Sequence, residues 1–335
     1  MLNLCSLIAI TIITYPIKTK TMNNPTVAVT AGSQLAKYHF GEQHAFGPLR
    51  HQAFLDGMQQ LDLNAKVSWL DPVQCHLKNL LSFHTAEYIE KVKQGSTEGQ
   101  GYLDYGDTPA RLGIYEAAST VVGSVIDMAD RIINQQYTRG FVPIAGLHHG
   151  YRDHCSGFCV FNDCAIVMEH LRNQHQLQKI LYVDIDAHHG DGVFYNYESD
   201  VNISIVDFHE DGQFLYPGTG DADETGSGPA RGTKMNFPMP MYASDVDFAR
   251  HWEIAETFIR SVQPEFIILQ CGADAMKGDP ITHLEYSAKS YQLATQSLCQ
   301  IADEFSEGRI LALGGGGYNM DNISKAWPVV VQAML

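Results

Sequence analysis

The chain has 335 residues, of which 45% are hydrophobic and 10% aromatic, enough for one large α/β domain or two smaller ones around a substantial core. Its 38 acidic residues outnumber its 22 Lys and Arg, giving a formal charge of −16 that argues against direct binding of nucleic acid. The same charge suits plain solubility, or attraction of basic partners such as lysine-rich tails and polyamines.

Residues 1–22 read as an extension ahead of a domain at 23–335. Leu2 to Ile17 is mostly apolar, but no basic residue precedes it and its lysines, Lys18 and Lys20, follow it. The stretch is short for a membrane span and lacks the charged start of a signal peptide. A disordered lead or a misplaced start is the expectation, with no membrane association; secretion or anchoring by residues 1–21 is the alternative. Seven cysteines, odd in number and irregularly spaced, exclude a disulfide framework and point to a reducing cytoplasm. Cys155, Cys159 and Cys164 cluster beside His154 without a Cys-x-x-Cys pair, so buried thiols fit better than a structural metal.

A strand is expected at Thr26–Val29, then a helix over Ile114–Ile133 with a small-residue face. Strands follow at Phe141–Leu147, Lys179–Asp184, Val201–Val206, Glu265–Gln270 and Arg309–Leu313, each short and largely apolar as buried parallel strands are. Between them lie helical patterns: Asn162–Gln174, then Phe248, Trp252, Ala255, Ile259 and Val262, then Tyr291, Ala294, Leu298, Ile301 and Phe305. No period of 20–50 residues repeats. The alternation predicts an α/β fold with a parallel sheet covered on both faces, and ligands at the carboxyl ends of its strands.

Chemistry-bearing residues fall at those ends. Asp184 to Gly192 places three carboxylates and two imidazoles where a buried strand finishes. Burying them is costly without a cation or mutual pairing. Asp186 and His188, two residues apart, can point the same way, and Asp274 follows another strand. Together they offer two oxygens and one nitrogen with a position left open, which suits catalytic Zn²⁺, with Fe²⁺ as competitor. A structural salt-bridge cluster is the plainer alternative. His148 and His149 follow a further strand, and Asp184 and Asp191 remain to orient two imidazoles for activating water and protonating a leaving amine. Gly314–Gly317 permits a close backbone approach to a ligand and lacks the Lys-Ser/Thr of a phosphate loop. Tyr318 at its tip either packs or donates to an oxyanion.

These segments resemble the histone deacetylase family, from about Val27 to the C-terminus. The motifs that carry the resemblance are Asp184–Gly192, Gly157–Asp163, Tyr216-Pro217-Gly218-Thr219-Gly220 and Gly314–Tyr318. The Tyr216 segment and Gly106–Pro109 are most similar to the bacterial acetoin-utilisation-like and class II-like branch. The resemblance implies the arginase–deacetylase fold, one domain with a parallel sheet of about eight strands. It implies zinc on Asp186, His188 and Asp274. His149, paired with Asp191, would be the principal base and acid, and His148, paired with Asp184, would tune the charge. Tyr318 would hold the oxyanion. Gly157, Phe158, Gly316 and Tyr216 or Leu215 would form a tunnel for the lysine methylenes. Asp107 would grip the substrate backbone at the rim, and Arg50 would line an internal acetate channel. A structural K⁺ would lie near Asp184, Asp186 and His188, with Asp207 where relatives often have serine. Leu147 departs from the tryptophan of several eukaryotic relatives. Ile281 stands where polyamine-selective relatives place an acidic residue.

The expected substrate is therefore an acetylated lysine in a peptide or protein. An acetylated polyamine or other small amine is the alternative, opposed by Ile281 and by the lack of a long insertion between Gly95 and Pro109. A non-catalytic binding protein predicts a broken ligand set. A dimanganese hydrolase would need more acidic ligands where Ala273 and Ala275 stand.

Overall fold

The computed structural model describes residues 26–335. The expected extension, its boundary after residue 22 and the alternative of a signal or anchor lie outside the described residues. Within them, no helix is long and apolar enough to cross a membrane.

Among the described residues eight strands are formed: β1 Val27–Thr30, β2 Ser68–Leu70, β3 Arg139–Val142, β4 Ile180–Asp184, β5 Ile203–Glu210, β6 Lys234–Met239, β7 Phe266–Gln270 and β8 Ile310–Leu313. They make one sheet in the order β2-β1-β3-β8-β7-β4-β5-β6, and every pairing is parallel. The chain steps outward from β4 to β6 and returns to insert β7 and β8 between β3 and β4. The four central strands are buried along their whole length, which is why β4, β7 and β8 read as largely apolar runs.

The helices, in chain order, are α1 Arg50–Gln60, α2 Leu77–Leu80, α3 Ala86–Glu98, α4 Ile114–Ile133, α5 Asp163–His175, α6 Asp191–Tyr197, α7 Asp245–Val262, α8 Ala288–Phe305 and α9 Met320–Met334. One layer joins α1, α9, α8 and α7 side by side, and another joins α3, α4 and α5. Trp327 of α9 ties the first layer to the sheet. It is fully buried against Phe54 of α1 and Phe141 of β3, and its indole N–H donates to Cys271 O at 3.2 Å.

Two strand expectations move. The run at Phe141–Leu147 is strand only as far as Val142 and begins earlier, at Arg139. Pro143 has no N–H for the ladder, and Ile144 and Gly146 adopt positive φ of 68° and 94°, so the chain turns there. Arg139 is tolerated in a buried strand because Asp303 and Met334 O take its guanidinium. The strand expected at Val201–Val206 begins at Ile203 and continues to Glu210. Its polar end is paired, Asp207 with His209 and Glu210 with His283.

Candidate active site

The sheet places the carboxyl ends of β3, β8, β7 and β4 side by side. Asp184 ends β4, Asp186 and His188 follow it, and Asp274 lies in the turn after β7. Nδ1 of His188 lies 3.0 Å from Asp186 Oδ1 and 3.2 Å from Asp274 Oδ2. The three residues are buried, and one ligand atom from each lies within 4.8 Å of the others. Their backs are held by donors. Gln270 Nε2 and Gly316 N each donate to Asp186 Oδ2 at 2.8 Å, and Ala187 N donates to Asp274 Oδ1 at 3.0 Å. Only glycine fits at 316, because a Cβ there would collide with Asp274 Oδ2 and stand 2.9 Å from Asp186 Oδ2.

The two imidazoles after β3 are each backed by a carboxylate. His148 Nδ1 donates to Asp184 Oδ2 at 2.7 Å, and His149 Nδ1 to Asp191 Oδ1 at 2.6 Å. That pairing makes Nε2 the acceptor whenever the ring is neutral. The turn that aims them is clamped by the start of α5. Asp163 accepts the Gly146 and Leu147 N–H groups at 2.8 and 2.7 Å, and the Asn162 amide donates to Gly150 O at 2.8 Å.

Charge separates the two rings. Burial lowers the pKa of His149 to about 4, aided by His148 and opposed by Asp191. Burial acts in the same direction on His148, but Asp184 and Asp186 outweigh it and lift that ring to about 10. Burial also opposes protonation of His188, yet its hydrogen bonds to Asp186 and Asp274 raise it to about 10. Asp274 is pushed up by burial and by Asp186. The site thus gathers more buried carboxylate than its imidazoles neutralise. That imbalance, together with an oxygen, oxygen and nitrogen donor set, is the condition a divalent cation satisfies.

Tyr318 closes the opposite side. Its backbone N–H donates to Asp279 Oδ2 at 2.8 Å, and its ring makes edge contacts with Phe46 and Phe158. Burial, then Asp274 and Asp186, hold its phenol well above its ordinary pKa, so it stays a proton donor. Tyr318, His148, His149, Gly157, Asp186 and Gly316 face a cavity with about 10 Å³ of room for a water centre, enough for about one molecule.

A model of the histone deacetylase domain matches residues 44–334 of this chain. The chain belongs to the histone deacetylase family. It is 33% identical over 304 residues to the acetoin utilization protein AcuC of Bacillus subtilis (strain 168), covering 88% of this chain and 77% of that protein. It is 28% identical over 317 residues to AcuC of Staphylococcus aureus (strain MSSA476), covering 92% and 81%. Its fold is similar to the crystal structure of the HDA15 HD domain, with a TM-score of 0.84 at 25% identity, covering 92% of this chain and 89% of that one. These likenesses place it in the bacterial AcuC-like branch of a family of deacetylating hydrolases with the arginase–deacetylase fold.

The remaining residues expected of a histone deacetylase relative divide between surface and interior. Phe158, at a positive φ of 67°, packs against Tyr318 and against His44, whose Nε2 lies 3.0 Å from the backbone oxygen of exposed Asp107. Gly157 also has positive φ, and a Cβ there would collide with the His149 ring. Tyr216 lies edge-on to His149 and His188, and its hydroxyl bonds Ser156 Oγ. Leu215 is partly buried against the core. Ile281 is 37% exposed on the loop that Asp279 fastens to Tyr318. Arg50 is fully buried. It donates to Gly317 O at 2.8 Å and Gly315 O at 2.5 Å, while its Nη1 has no partner among the described residues. Asp207 accepts from His209 at Oδ1 and from Gly190 N at Oδ2. Cys155, Cys159 and Cys164 are buried free thiols.

Sequence reasoning gave no role to Gln270, Asp163, Asp279, Tyr151 or Tyr182. Tyr182 donates to Asp184 at 2.6 Å and Tyr151 to Asp191 at 3.1 Å. Gln270 left a trace, a polar side chain closing an apolar strand. Tyr182 is two residues from its partner on the same strand, whereas Asp163, Asp279 and Tyr151 show only when distant segments meet.

Proposed function

We propose that this chain is a zinc-dependent amidohydrolase that cleaves the acetyl amide of Nε-acetyl-lysine in peptides or proteins and releases acetate. The observation that carries the reading is Asp186, His188 and Asp274 converging from two strand ends, with His149 and Tyr318 facing a small cavity that Asp186 also lines. A zinc ion on those three side chains supplies Lewis-acid polarisation of the amide carbonyl and brings the pKa of water toward ~7.

The protein's own residues do the rest. Asp191 fixes His149 so that Nε2 takes the proton of the attacking water and returns it to the leaving amine. His148, charged against Asp184, offsets buried carboxylate and depresses the basicity of His149. The Tyr318 hydroxyl donates to the oxygen that gains negative charge. Phe158 and Tyr216 offer aromatic walls to a chain of methylenes, Asp107 a carboxylate at the rim and Arg50 a buried cation to departing acetate. The reading includes a structural K⁺ beside Asp184, Asp186, His188 and Asp207. Buried carboxylates favour it, whereas His209, 2.7 Å from Asp207, competes for that ligand. Residence in the cytoplasm accords with the free cysteines.

The test is a turnover panel on zinc-loaded enzyme, comparing acetyl-lysine peptides, longer acyl-lysine peptides and acetylated polyamines by acetate or acid release. The expected result is highest kcat/KM on an acetyl-lysine peptide. A dominant polyamine rate overturns the lysine assignment, and no turnover of any acyl amide overturns the hydrolase.

A further inference from the structure

The far end of α5 gathers a second set of metal-binding side chains, away from the catalytic cavity. His170 and His175 are five residues apart on this helix, yet both turn Nε2 onto one atom, Asp130 Oδ1 of α4, each at 2.7 Å. The rings meet edge-on with centroids 5.4 Å apart, and one ligand atom from each of the three residues lies within 4.8 Å of the others. Side-chain exposure is 11% for His170, 20% for His175 and 39% for Asp130, so the cluster is seated in the helix pair with one side open to water.

We infer that Asp130, His170 and His175 form a second metal site, specific for a divalent late transition ion. Two imidazole nitrogens and one carboxylate suit Zn²⁺, Ni²⁺, Co²⁺ or Cu²⁺, whereas Mg²⁺ and Ca²⁺ call for oxygen ligands throughout. Nitrogen and oxygen ligands at about 2.0–2.1 Å from a tetrahedral ion stand roughly 3.3 Å apart, so the 2.7 Å contacts need to open by about half an ångström. The open side leaves room for water to complete the shell. The ion would replace a shared hydrogen-bond acceptor by direct bonds and so fasten α4 to α5. The opposite end of α5, roughly 18 Å away at 1.5 Å per residue, carries Asn162 and Asp163, which clamp the His148–His149 turn. The two sites share no ligand, so their occupancies are counted separately.

The test starts from zinc-loaded full-length protein, dialysed against rising Zn²⁺ or Ni²⁺, with bound metal measured by elemental analysis. Wild type is expected to take two equivalents per chain and to gain thermal stability with the second. The double variant His170→Gln, His175→Gln keeps the first equivalent and its turnover but loses the second and the gain in Tm. Asp130→Asn, which retains an oxygen acceptor for the two imidazoles, is read alongside in case the double variant folds poorly, and it too loses the second equivalent. A single equivalent in wild type, or a second one retained by both variants, overturns the site and leaves the cluster as a helix clamp.

Discussion

Asp191 Oδ1 lies 2.6 Å from Nδ1 of His149, inside a site whose burial drives that imidazole to a pKa of about 4. The carboxylate has two effects. It fixes the tautomer, and it raises a pKa that burial and His148 would depress further. Asp191→Asn should therefore lower kcat by roughly 10–100-fold. It should also move the His149 titration below its wild-type position, because a stabilising negative charge has gone. Histidine-resolved NMR titration beside kinetics checks both. An upward shift would show that Asp191 is not the partner that sets the base.

Tyr318 is held by Asp279 through its backbone and by Phe46 and Phe158 through its ring, so removing the hydroxyl leaves the packing in place. Tyr318→Phe should lower kcat by roughly 10²–10³ while KM changes little, the pattern of a hydrogen bond made mainly in the transition state. An equal loss in KM with kcat preserved would assign the phenol to substrate binding instead.

Gly316 donates its N–H to Asp186 and leaves no space for a side chain beside Asp274. Gly316→Ala should push the two carboxylates apart and reduce bound zinc well below one equivalent, with the fold retained by circular dichroism. Full metal content in the variant would mean that these carboxylates do not jointly hold the ion.

Much of this site was legible because its residues are concentrated where apolar strands end. Asp184, Asp186 and His188 stand within five positions, and His148 and His149 are adjacent. Asp274 follows β7 by four residues, so a strand pattern alone brings it near. The positions of β2 and β6 were not legible. β2 is three residues at an edge, and β6 carries Lys234, Asn236 and Pro238, which edge strands tolerate but an apolar pattern does not reveal. The polar half of β5 was hidden for a related reason. Asp207, His209 and Glu210 look like a loop until their partners, including His283 from 73 residues further on, neutralise them. Asp279 shows the same limit in the site, since its turn sequence gives no hint that it anchors Tyr318.

Trp327 joins α9 to α1, β3 and the β7 end through Phe54, Phe141 and Cys271 O. Trp327→Ala removes a fully buried indole and orphans that carbonyl. It should cost roughly 3–5 kcal/mol in chemical denaturation, the range for large aromatic deletions that cannot collapse. A loss under about 1 kcal/mol would mean that the surrounding helices close the cavity.

Ile281, which the proposed reading puts at the mouth, is open to redesign. Its N–H donates to Asp279, which also holds Tyr318, and neighbouring Thr282 donates to Asp274 O at 2.5 Å. The loop is therefore fixed relative to the reacting groups, while the Ile281 side chain remains 37% exposed. Ile281→Glu places a carboxylate at a set distance from the cavity without touching the ligands. A cationic acetylpolyamine gains an ion pair there, whereas a neutral acetyl-lysine peptide gains nothing. An exposed pair contributes about 0.2–1 kcal/mol, so the ratio of kcat/KM for acetylpolyamine to that for peptide should rise by a few-fold. Because the pair faces water, the gain should shrink in concentrated salt, where screening acts over about 3 Å at 1 M. Rates for both substrates at low and high ionic strength decide the matter. An unchanged ratio would place Ile281 away from the substrate path, and a gain that survives high salt would assign the effect to a rearranged loop rather than to charge.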